Sequence, residues 1–264
     1  MASSSTVSAV LSHPGVRWIG MGWAGFIAEN LILSSNRKKI IDAYGDKNYH
    51  TVYSALSTLT TGSIAYGYLV HGRRTGPMRP LPSPQMRMVA IVCQTIGLVG
   101  LSQFLPKIQA PVVLERKESS RIETNEIKQG GGAEGGRGLF SFQAQCPFDF
   151  SSSSSSSSQK EASEQEDGSI TGMKRVTRHP MFWTMSFLSA GVLFRTQFFT
   201  EVVMFSGPIF TTLTCGYHLD SRQRNGNDGI NISQKAMSET SFIPFLALLE
   251  GRQSWSKFAE EIKM

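Results

Sequence analysis

Cysteine is scarce in this sequence: the 264 residues hold three, Cys93, Cys146 and Cys215. Thiols so few and so scattered exclude a disulfide framework and a thiolate zinc site. Cys93 and Cys215 fall inside apolar runs, where they act as small hydrophobes. The short signatures of common enzyme chemistry are missing too. No Gly-rich phosphate loop, Cys-x-x-Cys pair, His-Glu-x-x-His or Gly-x-Ser-x-Gly is present, and no metal site is expected. Acidic side chains are in deficit, with 20 Asp and Glu against 26 Lys and Arg and a net charge of +6. A basic balance indicates nucleic acid only where cations cluster on a polar surface with aromatics or a known motif. None is found, so no nucleic-acid partner is expected. Lys and Arg instead crowd between apolar runs and thin out within them, the distribution suited to an anionic membrane surface.

Five apolar stretches are what the sequence does have. They are 18–33 (WIGMGWAGFIAENLIL), 52–70 (VYSALSTLTTGSIAYGYLV), 88–106 (MVAIVCQTIGLVGLSQFLP), 181–194 (MFWTMSFLSAGVLF) and 202–219 (VVMFSGPIFTTLTCGYHL). A membrane-spanning helix needs roughly 20 such residues. The fourth run is short and requires Arg195 to snorkel or the helix to sit inside a bundle. Gly207 and Pro208 predict a kink in the fifth. Gly20, Gly22, Gly25, Ser57, Gly62, Gly97 and Gly100 are the small residues membrane helices use for close packing. Trp18, Trp23, Tyr49, Tyr53, Tyr68 and Trp183 stand near run ends, as interfacial aromatics do. The expected fold is all-α: a polytopic transmembrane bundle of about five spans, with the lipid bilayer as partner. A short segment, SFIPFLALLEGRQ at 241–253, cannot cross and is expected to lie on the membrane or fold back into it.

The division predicted is 1–114 for the first three spans, 115–172 for an insert, and 173–264 for the remaining spans and tail. The insert carries KQGGGAEGGRG, SSSSSSSS and SEQEDGS, which cannot bury enough apolar surface to offset chain entropy, so a disordered loop is expected. The start, MASSSTVSAV, is Ser-rich and acid-poor like a transit peptide, which points to a plastid, although the first span follows almost at once.

Five polar residues at or inside the runs are the site candidates. Glu29 is a carboxyl within the first run, and an acid at membrane depth is a functional candidate by default. Arg178 and His179 precede Pro180, which starts a helix where its missing N–H costs nothing. The free N–H groups and positive dipole end there, beside two cationic side chains, could seat a phosphate, carboxylate or lipid headgroup. The bland alternative is interfacial anchoring of the helix end. Asp220 and Arg222 follow the fifth run and double as stop-transfer charges.

Four blocks then resemble the NnrU family of membrane proteins, especially its branch of 15-cis-zeta-carotene isomerases. These are NLILSSNRKKIIDAYGDKNYHTVYSALS, TGMKRVTRHPM, HLDSRQR and SFIPFLALLEGRQ, of which the last is the most specific. Arg-His-Pro by itself also occurs in membrane methyltransferases, but the Glu-Glu and aromatic run of that class are not matched here. The resemblance implies a haem b between helices and redox-controlled cis–trans isomerisation of a carotenoid. It also places the family's axial histidines at Asn30 and Val192, an exchangeable cysteine at Ser189, and a His-His pair at Thr211 and Thr212. His71 matches a family histidine that is not a ligand. Imidazole or thiolate gives haem iron its electron pair; valine cannot, and an amide barely can. Haem b therefore enters only through the resemblance. The expectation is an NnrU-like membrane protein binding a polyene, isoprenoid or lipid without such ligation. The alternatives are a carotene isomerase with divergent ligands and a non-catalytic scaffold.

Overall fold

The computed structural model describes residues 4–103, 112–116, 140–144, 170–225 and 234–261. Within these, α1 spans Ser4–Ser12, α2 Pro14–Ser35, α3 Arg37–Tyr44, α4 Asp46–Tyr66 and α5 Pro84–Ser102. The chain continues with α6 at Met173–Val176, α7 at Pro180–Leu193, α8 at Phe199–Thr211 and α9 at Tyr217–Arg224. Three short helices follow, α10 at Gln234–Glu239, α11 at Leu246–Leu249 and α12 at Trp255–Glu261. Each start has a local cause. Proline opens α2, α5 and α7, where no donor is lost. Ser83 caps α5 by accepting from the Met86 N–H at 3.3 Å. Gly45, at φ +85°, makes the break between α3 and α4.

The five longest apolar helices stand side by side as one layer in the order α4, α2, α8, α7, α5. Chain order and spatial order therefore differ, and α4 and α5 form the two edges. Close approach rests on glycine. A Cβ on Gly97 would stand 2.7 Å from the Leu188 side chain, and one on Gly191 2.1 Å from that of Gln94, so α5 and α7 need both. Gly22 does the same for α2 against Ile64 of α4. Of the small residues singled out in the sequence, Gly25 and Gly62 instead face open space.

The contact between α2 and α8 follows directly from Gly207 and Pro208. Proline lacks an N–H, so the carbonyl four residues back, that of Met204, loses its helical partner. The Trp23 indole N–H donates to it at 3.1 Å, while its ring lies against Gly207. Trp23 is thus an interhelical wedge, not the interfacial aromatic the sequence suggests. Beyond Pro208 the helix passes through a π turn, Thr212–Gly216, before α9, and α4 ends in another, Gly67–Gly72. At that end of the layer, Arg79 donates from its backbone N to Gln197 O at 2.8 Å and from its side chain to the carbonyls of Thr196 and Leu193. These bonds tie the α4–α5 link to the α7–α8 link.

All five apolar runs are helical, apart from 104–106, which lie outside the described residues. Hydropathy tells less than five spans: among the described residues only α5, with 19 residues and mean hydropathy 1.3, is long and apolar enough to cross a membrane by itself. α7 is apolar but short. α4 fails because its polar start, Asp46 to His50, and its Ser and Thr residues on both faces lower its average. Residues 112–116 and 140–144 pair as an antiparallel ribbon, Val112 opposite Ala144 and Arg116 opposite Phe140. The sequence reading missed this ribbon, although Val and Phe favour strands. Of the rest of the expected disordered insert, 117–139 and 145–169 lie outside the described residues. The tail folds over α6 and the start of α7.

Candidate functional site

The site is built where α6, α9 and the tail meet. Thr177, Arg178 and His179 form the short link from α6 to α7, and backbone bonds hold it to the tail. Arg178 N donates to Ser241 O at 2.9 Å, Phe245 N to Val176 O at 2.9 Å, and Thr177 Oγ1 to Phe242 O at 2.8 Å. Phe245 accommodates this with a left-handed φ of +63°. Val176, Ala247 and Leu248 are buried beneath, and full burial of a leucine is worth about 2 kcal/mol in water.

Asp220, 2% exposed, is the charge at the centre. Its Oδ1 lies 3.0 Å from Arg178 Nη1 and 3.4 Å from His179 Nε2, and its Oδ2 lies 3.0 Å from Arg224 Nε. Burial alone would raise the Asp220 carboxyl. The hydrogen bond from His179 and the charges of Arg178 and Arg224 outweigh it and hold the group below its ordinary value. Burial lowers Arg178 from its ordinary value, with Asp220 pulling the other way. The His179 ring also meets Phe242 edge-on, centroids 5.7 Å apart, and Phe182 at 6.2 Å. Beside this group Arg175 grips Glu261 through Nε and Nη2, each at 2.7 Å, and donates from Nη1 to Gln253 Oε1. Arg252 donates to the carbonyls of Ser238 and Thr240 at 2.8 and 2.9 Å.

Of the predicted site residues, the fold gathers Arg178, His179 and Asp220 into one buried network. Arg178 and His179 point at that carboxylate and at tail carbonyls, not at an open anion seat. Arg222 leaves the group: it sits across α9 and donates to Ser34 Oγ at the end of α2. Burial lowers Arg222, the Tyr49 phenol opposes this, and the Arg37 charge adds to it. Glu29 is separate again and accepts from Thr60 Oγ1 of α4 at 3.0 Å. Arg175, Gln253, Arg252 and Glu261 were missed as candidates. Two of the quoted blocks carried a signal for three of them: TGMKRVTRHPM holds Arg175, and the tail block ends in Gly251-Arg252-Gln253.

The positions where the resemblance puts haem ligands do not fit that group. Asn30 has its amide engaged, accepting from Tyr53 OH at 2.5 Å and donating to Phe26 O at 2.8 Å. Ser189 is buried, Val192 offers no lone pair, and Thr212 Oγ1 is hydrogen-bonded within the α7–α8 contact. No group of three or more potential metal ligands occurs among the described residues.

The family model described as NnrU protein matches residues 19–251, a span that takes in three of the four sequence blocks and the fourth up to Gly251. No curated protein and no solved structure matches the chain. Three of those blocks, distant in sequence, are the parts that meet around Asp220, as expected if they are the fixed part of one fold. This chain is a member of the NnrU family.

Proposed function

We propose that this NnrU-family chain is an integral membrane protein that holds a polyene, isoprenoid or lipid against its helices without haem ligation of the family type. One observation carries the reading, the inversion of ordinary helix faces. On α4 the buried stripe runs through Tyr49, Ser54, Ser57 and Ile64, while Val52, Leu56, Leu59 and Tyr66 are exposed. On α5 the buried residues are Ala90, Gly97 and Gly100, and Met88, Val89, Ile91, Val92 and Leu98 are exposed. In water these apolar faces would each cost about 25 cal/mol per Å² left uncovered. Hydrocarbon removes that cost, and an extended apolar molecule is the ligand such faces accept. The Ser-rich start supports a plastid membrane. Catalysis of carotenoid isomerisation is not part of the reading, because the chain offers iron no family-type ligand pair.

The test uses the full chain expressed in a plastid-bearing or bacterial host. Alkaline carbonate should leave it in the membrane pellet; release into the wash would overturn the membrane reading. The detergent-purified protein should carry a polyene or lipid by mass spectrometry and show no Soret band. A Soret band, or rescue of a carotene-isomerase-deficient strain, would restore the haem-dependent isomerase. A protein free of any apolar ligand would favour the scaffold.

A further inference from the structure

We propose that Arg37 and Arg222 form a phosphate-binding site at the polar end of the layer, taking the phosphate of a lipid or isoprenoid headgroup or a free phosphate. Four elements converge there. Ser34 and Ser35 close α2, Arg37 opens α3, Tyr49 stands in the first turns of α4, and α9 brings Arg222 and His218. Arg222 donates to Ser34 Oγ, and Ser35 Oγ shares a hydrogen bond with His218 Nε2 at 3.2 Å. The Arg37 guanidinium lies over the Tyr49 ring, 5.8 Å from its centroid. Tyr49 is a neighbour of both guanidinium groups.

The contrast with Asp220 gives the ligand its sign. At the α6–α9 junction the chain supplies a carboxylate for each buried guanidinium it turns inward. Arg37 has no carboxylate in contact among the described residues, and its Nε is buried there without a hydrogen-bond partner. A buried donor left unmade is costly, and a second positive charge nearby makes it more so. An anion with several acceptor oxygens resolves both, and a guanidinium fork matches phosphate geometry. Among the acids of the neighbouring elements, Asp42 of α3 is exposed and makes no ion pair with Arg37, Asp46 faces His50 at 3.5 Å, and Asp220 is held by Arg178, His179 and Arg224. Lys38 and Lys39 on the same turn are exposed and enlarge the positive field without closing the site. The lipid source rests on the membrane reading above; the free-phosphate source does not.

The experiment measures binding to the full chain in detergent by native mass spectrometry and by thermal shift. The probes are phosphatidic acid, diacylglycerol and inorganic phosphate. Wild type should bind phosphatidic acid and not diacylglycerol, and R37Q and R222Q should each weaken binding at least tenfold. R222K, which keeps charge but loses the fork, should fall between. A shift with inorganic phosphate as well identifies phosphate itself as the ligand; one with phosphatidic acid only identifies a lipid headgroup. K39Q removes the same charge from an exposed position and should bind like wild type. Equal loss in K39Q would overturn the site in favour of diffuse attraction, and so would equal binding of diacylglycerol or no binding by wild type. Failure of any of these leaves the carbonate and Soret results untouched.

Discussion

The helix layer and the capped end around Asp220 obey opposite packing rules. In the layer, α4, α5 and α7 turn mostly small or hydroxylated residues inward, such as Ser54, Ser57, Gly97, Gly100, Ser186 and Ser189, beside one apolar cluster of Ile19, Phe26 and Ile64, and α4 and α5 leave large apolar side chains facing out. At the capped end, Val176, Ala247 and Leu248 are buried, and the cations Arg175, Arg178 and Arg252 are paired to carboxylates or carbonyls. On the membrane reading proposed above, one chain meets two solvents. Where hydrocarbon surrounds a helix, burying leucine gains nothing, and small or hydroxylated residues are kept inside because they pack closely and hydrogen-bond. Where water surrounds the fold, apolar burial and paired charge regain their usual value.

The largest expected break in this contrast is Asp220→Ala. It strands Arg178 and His179 in a buried site and should cost about 3–5 kcal/mol, read as a lower melting temperature in detergent. Asp220→Asn keeps hydrogen-bond acceptance but loses charge and should cost less. Next comes Val92→Lys on the outer face of α5, 54% exposed. In a bilayer the lysine costs about 2.5–3.5 kcal/mol near mid-depth and should reduce membrane insertion. In water an exposed substitution is worth about 0.5 kcal/mol or less, so unchanged yield and stability would contradict the inverted layer. Gly97→Val overpacks the α5–α7 contact against Leu188 and should cost about 1–3 kcal/mol by the same melting assay.

The smallest effect is at the tail. Hydrogen bonds from Arg175 are the main cause holding the Glu261 carboxyl below its ordinary value, with the Gly172 N–H adding to them. A lowered folded value means the contribution is complete above the ordinary carboxylate range and disappears as pH falls through the lowered value. Protease sensitivity of the tail should therefore rise only in acid. Glu261→Gln should raise it at neutral pH as well, at a cost of about 0.5–1 kcal/mol.

Much of the layer was legible in the residues. Apolar runs of near-spanning length became helices, in which a continuous apolar stretch satisfies its own backbone by internal hydrogen bonds. Pro180 marked a helix start, and Gly207 with Pro208 marked an irregularity, each through proline's missing N–H. Which indole would take the carbonyl freed by Pro208 was not legible, since Trp23 lies far away in sequence. The same holds for the site. Arg178, His179 and Asp220 were separately conspicuous as charges at run ends. Their meeting depends on α9 and the tail folding back over α6, which no periodicity encodes.

The sequence by itself determined that this chain is helical, that its helices are apolar, and that cations collect at their ends, because composition and run length act locally. Only the tertiary structure decided which helices touch, which face of each turns inward, and which guanidinium groups receive a carboxylate. Those outcomes depend on the close approach of surfaces far apart in the chain, where a missing Cβ or N–H on one helix selects the side chain that must arrive from another.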